Sequence, residues 1–233
     1  MKKTIILVVA LFATIFANAQ TDIDLSSVFT IENGEDGKPK PIDLNEPSTV
    51  KDGIVFIGDT RPAEKIEDGK YKGMRVQKQR RHFTIDGKVR QYQNALAFRR
   101  APAGAMKDHK MDLTLVPRSC MVQLKPTSDG MLTFCGQTNK PEGNNIYVAV
   151  RNGATFKNIA TLNFKKDDAI TGKKDSPYQP QTCDYKYADG DELWIYSDGS
   201  INLFGILFTG TIDKAFTGSN PIEVNKAVRR AQK

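Results

Sequence analysis

An antiparallel β-sandwich of jelly-roll type, closed by a short C-terminal helix, is the all-β fold that this 233-residue sequence predicts. Three observations predict it. Strand-like alternation runs through most of the chain, and no long helical period interrupts it in the middle. Turn signals recur about every eight to twelve residues, the rhythm of short antiparallel strands. A helix-start signature appears only near the end of the chain.

In chain order, "MKKTIILVVALFATIFANA" (1–19) reads as a secretory signal: two lysines, an apolar run, then small residues at Ala17 and Ala19. The run is too short for a membrane span, and no second one follows. Cleavage after Ala19 is expected to leave a single domain, 20–233, secreted or exposed at the cell surface, with the periplasm as a further possible destination. "ENGEDGKPKPIDLNEPS" (32–48) is rich in Gly, Pro and charge and is predicted to be an exposed loop. "HFTIDGKVRQY" and "IYVAVRNGATF" place Asp86-Gly87 and Asn152-Gly153 between alternating runs. Both dipeptides accept the positive φ angles of two-residue hairpin turns. "KPTSDGML" and "YSDGSIN" add turns at Gly130 and Gly199, and "KKDDAITGKKDSPYQPQT" (165–182) reads as a second exposed insertion. The stretch "GDELWIYSDGSINLFGILFT" (190–209) is predicted to be a closing hairpin. Both faces of its "LWIYS" are apolar, so Trp194 is expected in the core rather than displayed as a sugar platform. In "SNPIEVNKAVRRAQK", Asn220 is the expected N-cap, Pro221 the first helical residue and Glu223 its capping partner, with basic residues in the last turn.

Cys120, Cys135 and Cys183 are an odd set for an exported chain. Alternation puts Cys120, Val122 and Leu124 on one core face and Leu132, Phe134 and Gly136 on the other. A hairpin then sets Leu124 opposite Leu132 and points Cys135 away from Cys120. Isolated buried thiols are expected instead of a disulfide scaffold.

The stretch "YKYADGDELWIYSDGSINLFGILFT" resembles the closing strands of a β-sandwich module of secreted bacterial proteins, often appended to pectate lyases and other polysaccharide-degrading enzymes. Upstream, "NALAFRR…VPRSCMVQLKPTSDGMLTFCG" is similar to that module's earlier core hairpin, and "IYVAVRNG…IATLNF" to the pair after it. The likeness covers about residues 94–209. It implies an accessory or surface module with glycan contact. It does not imply lyase activity.

The formal charge is +7, or +5 without Lys2 and Lys3. Residues 70–118 hold thirteen Lys or Arg against three Asp. Within them Arg75, Lys78, Arg80, Arg99 and Arg100 are the candidate anion-binding side chains, and Tyr92 the candidate stacking surface. Guanidinium forks suit carboxylates and sulfates. The plainer reading is a solvated strand face whose cations protect an edge. His82 and His109 sit in no recognisable metal or triad pattern. Loop carboxylates at Asp167, Asp168, Asp189, Asp191 and Glu192 suggest at most a structural calcium, and no other cofactor is expected. The expected function is a non-catalytic carbohydrate-binding module for acidic glycans. An envelope adhesion protein contacting other proteins is the alternative, and a jelly-roll lyase or hydrolase a third. Neither a nucleic-acid partner nor a transmembrane segment is expected.

Overall fold

The computed structural model describes residues 21–24, 28–44, 49–58, 73–99, 101–108 and 110–232. The expected signal segment, Arg100, His109 and part of the 32–48 loop lie outside them. Two antiparallel sheets stack on each other. The first runs β13 (Gln181–Tyr185), β10 (Gly130–Gln137), β15 (Ile201–Phe208), β6 (Lys88–Phe98), β5 (Met74–Ile85), β2 (Ile42–Asp43), with β1 (Thr21–Asp24) also paired to β15. The second runs β12 (Thr155–Phe164), β11 (Asn144–Asn152), β14 (Glu192–Ser197), β9 (Met121–Leu124), β4 (Ile54–Ile57), β3 (Thr49–Lys51). A small ribbon pairs β7 (Met106–Lys107) with β8 (Lys110–Met111). Helix α1 (Pro221–Ala231) follows. Among the described residues no helix is long and apolar enough to cross a membrane.

Three apolar layers hold this arrangement. The central one, between the sheets, includes Phe56, Val76, Leu96, Val122, Phe134, Ile195 and Phe208. A second lies outside the second sheet, where Val224 and Val228 of α1 cover Trp194, Tyr196 and Met121. A third lies outside the first sheet, where Phe83 and Tyr92 cover Cys135, Phe204 and Leu207. These outer layers explain the apolar character of both faces of "LWIYS". Leu193 and Ile195 face the central core, while Trp194 and Tyr196 face the helix side, and all four are buried.

The Asp86-Gly87 turn forms as predicted, with Ile85 opposite Lys88 and positive φ at both turn residues. The second hairpin turns one residue later than expected. Asn152 pairs with Thr155, so the loop is Gly153-Ala154, and Gly153 alone takes a positive φ. Asn152 instead donates from its side-chain amide to Asp191 Oδ1 and to the carbonyl of Asp189, each at 2.8 Å.

Two predicted hairpins are not hairpins. β9 pairs with β14 and β4, whereas β10 pairs with β13 and β15. β14 and β15 likewise lie in different sheets. From β9 to β15 only the β11–β12 connection stays in one sheet, and every other one crosses the sandwich, as jelly-roll winding requires. Val122 and Leu124 share the central core with Leu132 and Phe134, but from opposite sheets rather than alongside. Cys135 faces the outer layer, away from Cys120, and no disulfide joins the three cysteines; Cys120 and Cys135 are buried, and Cys183 is half-buried.

The 165–182 insertion is also more structured than predicted. Gly172 and Tyr178 add backbone bonds to the edge of β5: His82 N donates to Gly172 O at 2.8 Å and Thr84 N to Tyr178 O at 2.9 Å. Its last two residues, Gln181 and Thr182, already belong to β13. The helix forms where the signature predicts: Asn220 Oδ1 accepts from Ile222 N at 2.9 Å, Pro221 opens the first turn, and Arg229 and Arg230 close the last, while Glu223 accepts from Lys226 Nζ at 2.7 Å rather than closing back on the cap.

Candidate functional site

The open part of the first sheet's outer face is set by a bend in the β5–β6 hairpin. Near its base the hairpin lies flat in the sheet, with Leu96 paired to both Val76 and Leu203. Between Lys78 and Arg81 the register shifts, so that Gln79 and Arg80 together oppose Gln93. Such a bulge bends and twists a strand. Beyond it the hairpin tip folds over the outer face of β15 and β10, and β1 takes the pairing place beside β15. Gly205 permits this close approach, since a Cβ there would meet Tyr92 Cε1 at 2.6 Å.

Below the bend the outer face stays open. In register across five strands stand Gln137, Asn202, Ala97, Arg75 and Asp43. Arg75 Nε donates to Asp43 Oδ1 at 2.8 Å. Gln77, two residues on and so on the same face, donates to Gln79 Oε1 at 3.1 Å and to Asn202 Oδ1 at 3.4 Å. Arg99 Nη2 donates to Gln77 Oε1. Gln137 donates to Asn139 Oδ1 at 2.6 Å, while its own Oε1 is buried and accepts from no described residue. Ala95 and Ala97, opposite Gln77 and Arg75, add no bulk between these groups.

The result is a shallow cleft of about 560 Å³. Three cations line it: Lys38, Lys78 and Arg99. So do four amides, Gln77, Gln79, Asn139 and Asn202, while Pro39 and Pro41 form a wall and no carboxylate is among the described lining residues. Burial and the neighbouring Arg75 guanidinium both push the Arg99 pKa down, with Asp43 pulling it partly back. Asp43 thus faces both guanidiniums.

Of the residues predicted from sequence, Lys78 and Arg99 line the cleft, and Arg75 stands beside it in its ion pair. Arg80 is exposed on the bulge and does not line it. Arg100 lies outside the described residues. Tyr92 corrects the prediction: it is fully buried under the hairpin tip, 5.8 Å from the Phe83 ring in edge contact, with Arg90 stacked at 5.6 Å. It offers no face to a sugar. The amides were missed because charge alone was followed. The alternation in "RVQKQ", which places Arg75, Gln77 and Gln79 on one side, was the signal that could have found two of them.

The loop carboxylates are held by protein groups. Asp191 Oδ2 accepts from Tyr185 Oη at 2.8 Å, and Asp168 pairs with Lys166 at 2.7 Å. Glu192 accepts from Arg151 Nη1 and Ser219 Oγ, each at 2.7 Å, and from Trp194 Nε1 at 3.3 Å. Among the described residues no group of three or more His, Cys, Asp or Glu could hold a metal ion.

Fold and cleft together define a β-sandwich that presents a cationic, amide-rich surface groove. No protein-family model and no curated protein matches the chain. Among solved structures, one similar chain comes from work on the Ruminococcus flavefaciens cellulosome, whose complexity is said to reflect an expansion in glycan recognition. It is 12% identical over 58% of this chain and 75% of its own length, with a TM-score of 0.31. A pentameric capsid protein isolated from metagenomic phage sequences is 20% identical over 42% of this chain and 63% of its own, with a TM-score of 0.25. Likenesses of this size carry no argument about what the chain binds.

Proposed function

We propose that the protein is an exported, non-catalytic module that binds acidic carbohydrate in the cleft of the first sheet. One observation carries this reading: among the described residues the lining combines three cations with four amides. Guanidinium and ammonium groups suit the carboxylate or sulfate of an acidic sugar. Amide side chains both donate and accept, which matches ring hydroxyls. Gln77, Lys78, Gln79 and Asn202 stand on strands, so the groups are held in place before the ligand arrives. The long edge strand β12 has a register shift at Ile159 and an exposed Lys157, devices that discourage pairing with another chain. These features support glycan contact over strand-edge adhesion.

The test is a glycan array with the mature chain, residues 20–233, including uronic-acid and sulfated polymers at low and moderate salt. Binding should be confined to anionic polymers and weaken with salt. Arg99→Ala and Lys78→Ala should each reduce it, while Arg80→Ala, off the cleft, should change it little. Equal binding of neutral polymers, or full binding by an Arg99→Ala, Lys78→Ala double variant, would refute the proposal.

A further inference from the structure

Beside the cationic cleft lies a second, larger one of about 1120 Å³, formed by residues 30–42. The two share Lys38, Pro39 and Pro41 as a common wall. This loop, predicted only as exposed polar chain, has a defined shape. Gly34 N donates to Lys38 O at 2.8 Å and Lys40 N to Glu32 O at 2.9 Å, and Asn33 bridges Pro39. Just beyond Pro41, Ile42 pairs with Val76 of β5, which fixes the loop to the strand that carries Gln77 and Lys78. A wall built this way costs little further ordering when a ligand binds.

The two clefts differ in charge. Among the described residues the first holds three cations and no acid. Lys38, on the shared wall, pairs with Asp36 at 3.6 Å, which leaves Glu32 and Glu35 against Lys40 in the second, an excess of one negative charge. Single small-molecule sites occupy roughly 300–1,000 Å³, and the second cleft alone exceeds that range. We infer that the two clefts are neighbouring subsites for one linear heteropolysaccharide, whose acidic residues are separated by uncharged ones. An acidic ring occupies the Lys78–Arg99 cleft, and an uncharged neighbour lies across Pro39 and Pro41 against Glu32, Glu35 and Asp36. A polymer charged at every ring meets repulsion in the second subsite. This inference rests on the proposed function and narrows its ligand class from acidic glycans in general to spaced-charge polymers.

Titration calorimetry on residues 20–233 tests it with two probes of increasing length: oligogalacturonates, charged at every ring, and hyaluronan oligomers, in which uronate alternates with an uncharged hexosamine. Affinity for the alternating series should rise about tenfold from disaccharide to hexasaccharide, equal to about 1.4 kcal/mol. The homopolymer series should gain little with length. Glu32 and Glu35 are exposed, so Glu32→Gln with Glu35→Gln should leave thermal stability unchanged and raise binding of the longer oligogalacturonates. Equal length gains for both series, or no effect of the double variant, overturn the two-subsite inference. The proposed function then still stands if short oligomers bind and Arg99→Ala abolishes it. Absence of binding by every oligomer of both series overturns the two-subsite inference, and failure of the sulfated polymers on the array as well overturns the proposed function.

Discussion

Gly205→Ala tests the packing that shapes the cleft's upper boundary. The added Cβ would lie 2.6 Å from Tyr92 Cε1, 2.9 Å from Cζ and 3.1 Å from the hydroxyl. Ordinary carbon contacts are about 3.5–4.0 Å, so the ring must retreat by about 1 Å. Gly205 cannot yield easily, because it pairs with Asp24 on one side and Cys135 on the other. Tyr92 is fully buried beside Phe83, so its retreat lifts the hairpin tip. Overpacking of this kind costs about 1–3 kcal/mol, and the better strand propensity of Ala returns about 0.5–1. A net loss of about 1–2 kcal/mol lowers Tm by about 2–8 °C in a chain of this size. Calorimetry reads that shift, and thiol labelling reads the lifted tip, since Cys135 lies beneath it with Sγ 3.6 Å from the Tyr92 hydroxyl. Tyr92→Phe should not rescue the variant, because the two nearest ring carbons remain. Tyr92→Leu should show favourable coupling of about 1 kcal/mol with Gly205→Ala. An unchanged Tm with Cys135 still protected would show that the ring does not rest on Gly205.

Glu192→Ala removes the acceptor shared by Arg151, Ser219 and Trp194. Breaking a buried pair costs about 3–5 kcal/mol. Arg151 keeps 24% of its side chain exposed, so the lower end applies: about 3 kcal/mol, or a Tm fall of about 6–12 °C. A urea titration showing less than about 1 kcal/mol would contradict it. Alkaline pH should destabilise the fold through tyrosines. Burial, with Asp198 adjacent, pushes Tyr147 up to about 12, and burial also pushes Tyr185 and Tyr196 up. An unfolded tyrosine ionises near 10.0, so stability is intact below that pH and is lost as pH climbs through about 12. Tyr147→Phe should flatten this limb of a denaturation-versus-pH series; an identical slope argues against the assignment. Burial, reinforced by Asp184, pushes the Cys183 thiol up to about 11, and Cys120 and Cys135 are buried. Iodoacetamide at neutral pH should therefore alkylate the native protein slowly and all three thiols after unfolding, whereas rapid native labelling would count against it.

What the sequence reveals here is local, and it is reliable where the physics is local. Asp86-Gly87 makes its turn because two adjacent residues supply both positive φ angles. Asn220 caps α1 because the acceptor and its donor, Ile222 N, are two residues apart. Apolar residues on both faces of "LWIYS" signal double burial, and Trp194 is buried. Pairing partners are another matter. Alternation says which side of β9 and β10 faces the core. It is equally satisfied by a strand alongside and by a strand across it, so Val122 and Phe134 belong to one core, as alternation says, but not to one hairpin.

The site shows the same division at finer grain. Basic residues between Arg75 and Arg99 point to the hairpin that lines the cleft, but one register shift decides which of them share a face. Before the bulge Arg75 and Gln77 point outward from the sheet; after it Phe83 and Tyr92 turn inward beneath the folded tip. A bulge has no distinctive composition in "QKQRRH", so Arg80, Tyr92 and Lys78 look alike as candidates in sequence and occupy three different environments in the fold. Lys38 and Asn139 enter the cleft from loops, and Asn202 from β15, all distant in sequence from β5. Only the winding of the two sheets brings them to the row that begins at Asp43 and Arg75. The cleft's chemistry therefore depends on the jelly-roll crossings as much as on the basic hairpin. This is why Gly205, whose small size lets that hairpin fold over, is a sharper probe of the site's shape than any one of its cations.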